Sequence, residues 1–307
     1  MTLEHIFWKA KTTVKQMLKR NKITAKHIPY IKRFIKYCEE MKNVYIHHKK
    51  IHIPYLVVSV GQACTLRCAH CGNLTPYAPK ECRSYSYVNI CQDINRLLEV
   101  AQIDCIQIQG GEPFSYSFLD KLLEGLPPDQ EIIIATNGTL IPIENVMLLL
   151  KERKVTVRIS DYGLPQYVET VNKLIYKLTQ NSVPYLLYQF VLNNGTWIDF
   201  GGIEVKYPEK SKRIIADRYW NCGFRDCLTL ENSIIGYCSR STIAPKIQGY
   251  EYKEKDYLML KRFKDKTALR WKLLNYTYRK HPMNCCRYCY GMEGKVVKPA
   301  IQIESLK

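Results

Sequence analysis

The 307-residue sequence predicts an α/β fold built on a parallel sheet, and two observations carry that expectation. From residue 54 onward, short apolar segments of strand length alternate with longer segments of helical periodicity. The strand segments are apolar almost without interruption (132–135 reads Ile-Ile-Ile-Ala), as strands buried on both faces of a parallel sheet must be. Hydrophobic residues make up 46% of the chain, enough to bury a sizeable core and to exclude a disordered chain.

The elements follow in order. A short apolar strand spans 55–60, and 84–100 has helical periodicity. A strand at 103–109 leads to a short helix at 118–126. Strands at 131–136 and 155–160, rich in β-branched residues, enclose a helix at 144–152. A helix at 166–180 and a strand at 184–191 complete the run. This alternation places helices on the outer face of the sheet. Near residue 200 the regularity fades into the turn signals Asn194-Gly195 and Gly201-Gly202. The cysteine-rich, basic stretch after Asn221 reads as a second, small domain.

Residues 3–48 read as one or two amphipathic, basic helices, with Phe7, Val14, Met17 and Leu18 at roughly helical spacing and Pro29 as a break. The net charge is +18, and residues 1–50 hold thirteen Lys/Arg against three Asp/Glu. Such a surplus implies an anionic partner: a phosphorylated substrate, a lipid surface or nucleic acid. The plain alternative is a solvated helix face. No apolar run approaches the ~20 residues that span a bilayer. Lysines interrupt the N-terminus where a secretory signal would be apolar. A cytoplasmic protein is expected, with peripheral membrane contact through residues 1–50 as one option.

Thirteen cysteines are many for a reducing compartment, where closely spaced thiols read first as metal ligands. Cys38, Cys82, Cys91 and Cys105 stand alone. Directly after the first strand comes Cys64-x3-Cys68-x2-Cys71. Three thiolates on one loop can ligate three irons of a four-iron cluster and leave the fourth open to a small molecule. The alternative, zinc on Cys68 and Cys71 with Cys286 and Cys289, leaves Cys64 unexplained.

The loop resembles the signature of the radical S-adenosylmethionine (SAM) superfamily, where it follows the first strand of a partial (β/α)6, TIM-like barrel. The resemblance implies that Cys64, Cys68 and Cys71 hold a SAM-binding 4Fe-4S cluster. It places His70 where an aromatic residue usually packs near the adenine. Gly110-Gly111-Glu112-Pro113 follows the second strand, and in the family this segment holds the methionyl amino group of SAM. Asn137 ends the third strand, and Ser160 with Asp161 ends the fourth, where the family often places ribose- or carboxylate-binding groups. The plain readings are a turn at Asn137-Gly138 and a helix cap at Ser160 or Asp161. The resemblance covers roughly residues 54–190.

Further on, Cys222 and Cys227 precede a hairpin with its turn near Asn232-Ser233 and a return strand ending at Cys238; Cys285, Cys286 and Cys289 follow. This layout resembles the twitch or SPASM extensions that hold auxiliary iron–sulfur clusters. The implied ligands of one auxiliary 4Fe-4S cluster are Cys238, Cys286 and Cys289 with either Cys222 or Cys227, and Cys285 is an outsider. A zinc ribbon of the same residues is the alternative.

The expected molecule has a basic helical extension at 1–52, a partial barrel at 53–215 and an auxiliary-cluster domain at 216–307. It is expected to cleave SAM reductively to a 5′-deoxyadenosyl radical, drawing electrons from a reductant such as flavodoxin or ferredoxin. That radical would abstract hydrogen from an anionic substrate, a sugar or glycan precursor, for oxidation or epimerisation. No catalytic side chain is singled out. Peptide maturation is the rival within the enzyme class. A zinc-containing RNA-binding protein is the rival outside it, disfavoured because it has no use for residues 110–113.

Overall fold

The computed structural model describes residues 28–190, 197–201, 208–247, 254–279 and 281–303. Helix α1 (Ile28–Tyr45) leads into β1 (Ile51–Ser59). Then follow α2 (Tyr87–Val100), β2 (Ala101–Gln109), α3 (Leu119–Gly125), β3 (Glu131–Thr136), α4 (Glu144–Glu152), β4 (Thr156–Asp161), α5 (Val168–Gln180) and β5 (Tyr185–Gln189). The expected alternation of strands and helices is present, with β3 and α4 at their expected limits. Ser86 starts α2 by accepting the Asn89 N–H, and Ile90, Ile94 and Leu97 then fall on one buried face.

The sheet order is β5-β4-β3-β2-β1-β6-β7-β8. Strands β1 to β5 are parallel in sequence order, the start of a TIM-like barrel. After α6 (Lys212–Trp220), strand β6 (Leu228–Glu231) joins the free side of β1, also parallel. The hairpin β6–β7 (Ile234–Gly236) forms as expected, with φ of 48° and 64° at Asn232 and Ser233, the twist of a type I′ turn. Antiparallel β7 and β8 (Leu258–Met259) end the sheet, and α7 (Ser239–Thr242) and α8 (Lys266–Thr277) pack near this edge. The cysteine-rich segment therefore extends the same sheet.

Each central strand has two unlike faces. Leu56 and Val58, Ile106 and Ile108, Val157 and Ile159, and Leu228 and Leu230 enter the core beneath the helices. Between them, Tyr55 and Val57, Gln107 and Gln109, Arg158, and Thr229 line the opposite, concave face. Buried Glu231 joins the two halves of the sheet there. Its carboxylate accepts from Gln62 (2.6 Å), Thr242 (2.7 Å), Tyr85 (3.1 Å) and Ser59 (3.3 Å).

The described part of the basic extension is built into the body. Pro29 stands in the first turn of α1, where its missing N–H costs nothing. Val44 joins the core, and the Glu40 carboxylate accepts the His52 N–H at 2.7 Å. Arg33 is 7% exposed and donates to Asp226 (2.9 Å), the Tyr237 hydroxyl (3.1 Å) and the Thr277 carbonyl (2.5 Å). Strand β1 already begins at Ile51, inside the expected extension. Phe7, Val14, Met17 and Leu18 lie outside the described residues, as do Asn194-Gly195 and Gly202. Among the described residues no helix is long and apolar enough to cross a membrane.

Candidate active site

Two cavities open at the ends of the parallel strands. The smaller, about 160 Å³, lies against the loop after β1 and is lined by Cys64, Cys68 and Cys71, with Gly110, Gly111, Asn137, Tyr162 and Trp197. The sequence places the three thiols together, and the fold keeps them so. Burial pushes the Cys64 thiol up to about 11 and Cys68 up to about 12. Against that, donors point at the sulfurs: the Leu66 N–H (3.4 Å) and Asn137 amide (3.6 Å) at Cys64, and the Gln302 amide (3.6 Å) at Cys68. Thiols sharing a cavity and met by N–H donors are what thiolate ligands of an iron–sulfur cluster require. Among the described residues no three His, Cys, Asp or Glu are close enough to hold a single metal ion.

Gly110 and Gly111 line this cavity and also shape it. A Cβ on Gly110 would lie 2.2 Å from the Gly61 carbonyl oxygen, and one on Gly111 would lie 2.1 Å from that of Ala63. The Gly111 and Glu112 amides bond those same two carbonyls at 2.9 and 2.8 Å. The pair of glycines thus zips the loop after β2 onto the cysteine loop, and the cavity is bounded by the result.

Glu112 is 1% exposed and is not among the cavity-lining residues. One carboxylate oxygen accepts from the Phe114 N–H (3.0 Å) and the Thr136 hydroxyl (2.8 Å); the other accepts from the Asn137 N–H (2.8 Å). Complete burial raises its pKa to about 7 against the pull of these donors. Glu112 therefore fixes the end of β3, and through it Asn137, whose amide also reaches Thr65 at 3.2 Å. Pro113 is buried and opens the short turn after Glu112.

His70 does not line either cavity. Its Nδ1 stands 3.4 Å from the Asp199 carboxylate, and its carbonyl accepts from the Trp197 indole at 3.0 Å. Ser160 also stands back and is hydrogen-bonded to Tyr162. The aromatic wall near the thiols is instead Tyr162 edge-on to Trp197, with centroids 5.0 Å apart. Asp161 accepts the Gly163 N–H at 2.8 Å, as an ordinary turn residue does.

The larger cavity, about 290 Å³, fills the concave side of the sheet and reaches all six C-terminal cysteines. Cys222 feels Cys238, Cys286 and Cys289 electrostatically, and Cys289 feels Cys238 and Cys286. Cys227 faces elsewhere: its charged neighbours are Asp226 and Arg158. Cys285, 4% exposed, is hydrogen-bonded to both Cys238 and Cys286. The bond from Cys285, foremost, lowers the Cys238 thiol below the ordinary cysteine value.

Several residues here escape a motif search. Gly72 and Asn73 line both cavities. The Asn73 amide reaches the Gly110 carbonyl at 3.4 Å, and its oxygen accepts from Ser239 at 2.8 Å. Tyr55, Gln107, Gln109 and Arg158 were readable only as polar positions alternating within strands that are otherwise apolar.

Residues 58–178 match the family described as the radical SAM superfamily. The chain is 25% identical over 146 residues to the GTP 3′,8-cyclase of Campylobacter curvus, covering 46% of this chain and 40% of that protein. It is 35% identical over 100 residues to the GTP 3′,8-cyclase of Clostridium acetobutylicum, covering 30% and 29%. The chain thus spans 28–40% of the length of the curated relatives it matches. Among solved structures, BtrN in complex with AdoMet and 2-DOIA aligns with a TM-score of 0.50 at 16% identity, covering 83% of this chain and 100% of that one. This last likeness is one of fold.

Proposed function

We propose that this chain, whose residues 58–178 match the radical SAM superfamily, is a radical SAM enzyme acting on an anionic substrate held in its larger cavity. One observation carries the reading: the thiol-lined cavity and the concave lumen meet at Gly72 and Asn73. A 4Fe-4S cluster with SAM, when bound, supplies reductive cleavage of SAM and a 5′-deoxyadenosyl radical able to abstract hydrogen. Cys64, Cys68 and Cys71 would hold that cluster, and Asn137, Gln302 and the Leu66 N–H would stabilise the thiolate charge. Tyr162 and Trp197 close the apolar side and exclude water. Asn73 ties the loop after β2 to α7, fixing the wall between the cavities.

Cys222, Cys238, Cys286 and Cys289 are the set we assign to an auxiliary 4Fe-4S cluster, with Cys285 as a hydrogen-bonding neighbour and Cys227 on the lumen side. Their mutual electrostatic coupling, which Cys227 does not share, supports this choice. An external reductant such as flavodoxin or ferredoxin would supply the electron.

Among the described residues the lumen is lined by four arginines and by no Asp or Glu, which supports an anionic substrate. The curated relatives are named for GTP, a phosphorylated compound, which is in keeping with a sugar phosphate, a nucleotide-linked sugar or another glycan precursor. Oxidation and epimerisation both remain within this chemistry. The test is anaerobic incubation of reconstituted protein with SAM, reductant and panels of sugar phosphates, nucleotides and peptides. Stimulation of 5′-deoxyadenosine formation by a phosphorylated sugar or nucleotide is expected. Stimulation by peptides alone would reassign the enzyme to peptide modification.

A further inference from the structure

The concave face of the sheet carries polar side chains between its apolar ones. Tyr55, Gln107 and Gln109 form one hydrogen-bonded row: the Tyr55 hydroxyl donates to Gln107 at 2.6 Å, and the Gln107 amide donates to Gln109 at 2.7 Å. Register places this row on β1 and β2. Two strands away, Arg158 lies beside Ala135 of β3 and Leu186 of β5 in register. Its guanidinium lines the lumen and has no hydrogen bond or ion pair to a carboxylate among the described residues.

The other arginines of the lumen differ. Arg218 pairs with Glu209 at 3.9 Å, Arg225 donates to the Trp220 carbonyl at 2.6 Å, and Arg240 donates to the Gly201 carbonyl. Arg240 also faces Cys238 and Cys289. Arg158 faces Tyr55, Cys105 and Cys227. Those groups are neutral near pH 7: burial pushes Tyr55 and Cys105 up to about 12 and raises Cys227 as well. A guanidinium kept in a half-buried lumen without a counter-charge is a site prepared for one. Its planar fork suits a two-oxygen anion.

We propose that Arg158 is the specificity-determining anchor for an oxyanion of the substrate, a phosphate or a carboxylate, and that the Tyr55–Gln107–Gln109 row orients the hydroxyl-bearing body beside it. The proposal deepens the reading of the lumen as the substrate site and rests on it. Both kinds of oxyanion share the two-oxygen chemistry, and the choice of probes separates them.

The test measures binding of inorganic pyrophosphate, glucose 1-phosphate and glucuronate by calorimetry to the full chain, anaerobic and reconstituted. Glucose serves as the uncharged control. Wild type should bind a phosphate or the carboxylate probe and bind glucose far more weakly, with affinity falling as salt rises. Arg158→Gln should weaken the anionic probes about ten- to a hundredfold, the loss of a charge-assisted contact. Arg158→Lys should recover part of that loss for phosphate and less for carboxylate, since the fork is gone but the charge remains. Gln107→Leu should weaken glucose 1-phosphate more than pyrophosphate, which has no hydroxyls to read. Iron content and melting temperature serve as fold controls. Equal affinity of wild type and Arg158→Gln for every anion, or no anion binding by wild type, overturns the proposal. Absence of SAM cleavage by a wild-type protein that still binds anions through Arg158 would instead overturn the radical SAM reading and leave the anion site standing.

Discussion

At the scale of single residues, backbone approach and thiol grouping decide the site. A methyl group at Gly111 would lie 2.1 Å from the Ala63 carbonyl oxygen, and that atom is backbone with nowhere to go. Gly111→Ala should therefore displace the cysteine loop and cost more than ~2 kcal/mol, read as a lower melting temperature and loss of iron from the first site. Glu112→Gln replaces an acceptor of three donors by a group that must turn an NH2 towards one of them. The expected cost is about 1–3 kcal/mol of stability, with SAM affinity falling only as Asn137 loses its place. A Glu112→Gln protein of wild-type melting temperature but impaired SAM binding would support the direct ammonium contact that the family resemblance implies. Among the C-terminal thiols, Cys222→Ala should remove the auxiliary cluster, lowering iron by about four atoms per chain, whereas Cys227→Ala should retain it. Iron and acid-labile sulfide analysis distinguishes the two; iron loss with Cys227→Ala and not with Cys222→Ala would reverse the assignment.

At the scale of elements, the contrast between the two ends of the chain is informative. Helix α1 is tied to the C-terminal segment by Arg33, which bonds Asp226, Tyr237 and the Thr277 carbonyl. Removing it takes a buried guanidinium from the Tyr237 hydroxyl and the Thr277 carbonyl and leaves a gap between α1 and the C-terminal segment, so Arg33→Ala should destabilise by about 1–3 kcal/mol, seen in the denaturation midpoint. A neutral effect would return α1 to the role of a detachable arm. The sequence signals for the βα alternation were strong because buried parallel strands must be apolar and their helices must be amphipathic, and β3 shows this at its expected limits. The docking of α1 was not legible, because a lysine-rich amphipathic helix reads alike whether its apolar stripe meets a protein core or a lipid surface. The pairing of β6 with β1 was equally hidden: a hairpin's local pattern fixes its turn and its two strands, while its neighbour in the sheet depends on residues more than a hundred positions away. The thiol loop was legible through spacing alone. The backbone approach at Gly110 and Gly111 and the hydrogen-bond shell of Glu112 were not, because a ligand-binding turn is written in the same letters whether or not it also packs this closely.

At the scale of the whole molecule, one sheet carries two cavities with a common wall. The basic character of the chain is carried into the larger of them as four arginines, with no Asp or Glu among the described lining residues. This arrangement makes sense if a cofactor cavity must open directly onto a bound anionic substrate. Two complete clusters would bring about eight irons per chain and no stoichiometric zinc, and four irons with one zinc would make the C-terminal site structural. The measurement closest to the centre of the account is 5′-deoxyadenosine formation from SAM by anaerobically reconstituted, reduced protein, compared with the variant in which Cys64, Cys68 and Cys71 are all replaced by Ala. Wild type is expected to release 5′-deoxyadenosine and methionine, and the triple variant is expected to release neither while keeping the iron of its C-terminal site. Undiminished 5′-deoxyadenosine formation by the triple variant would contradict the assignment of the cavity.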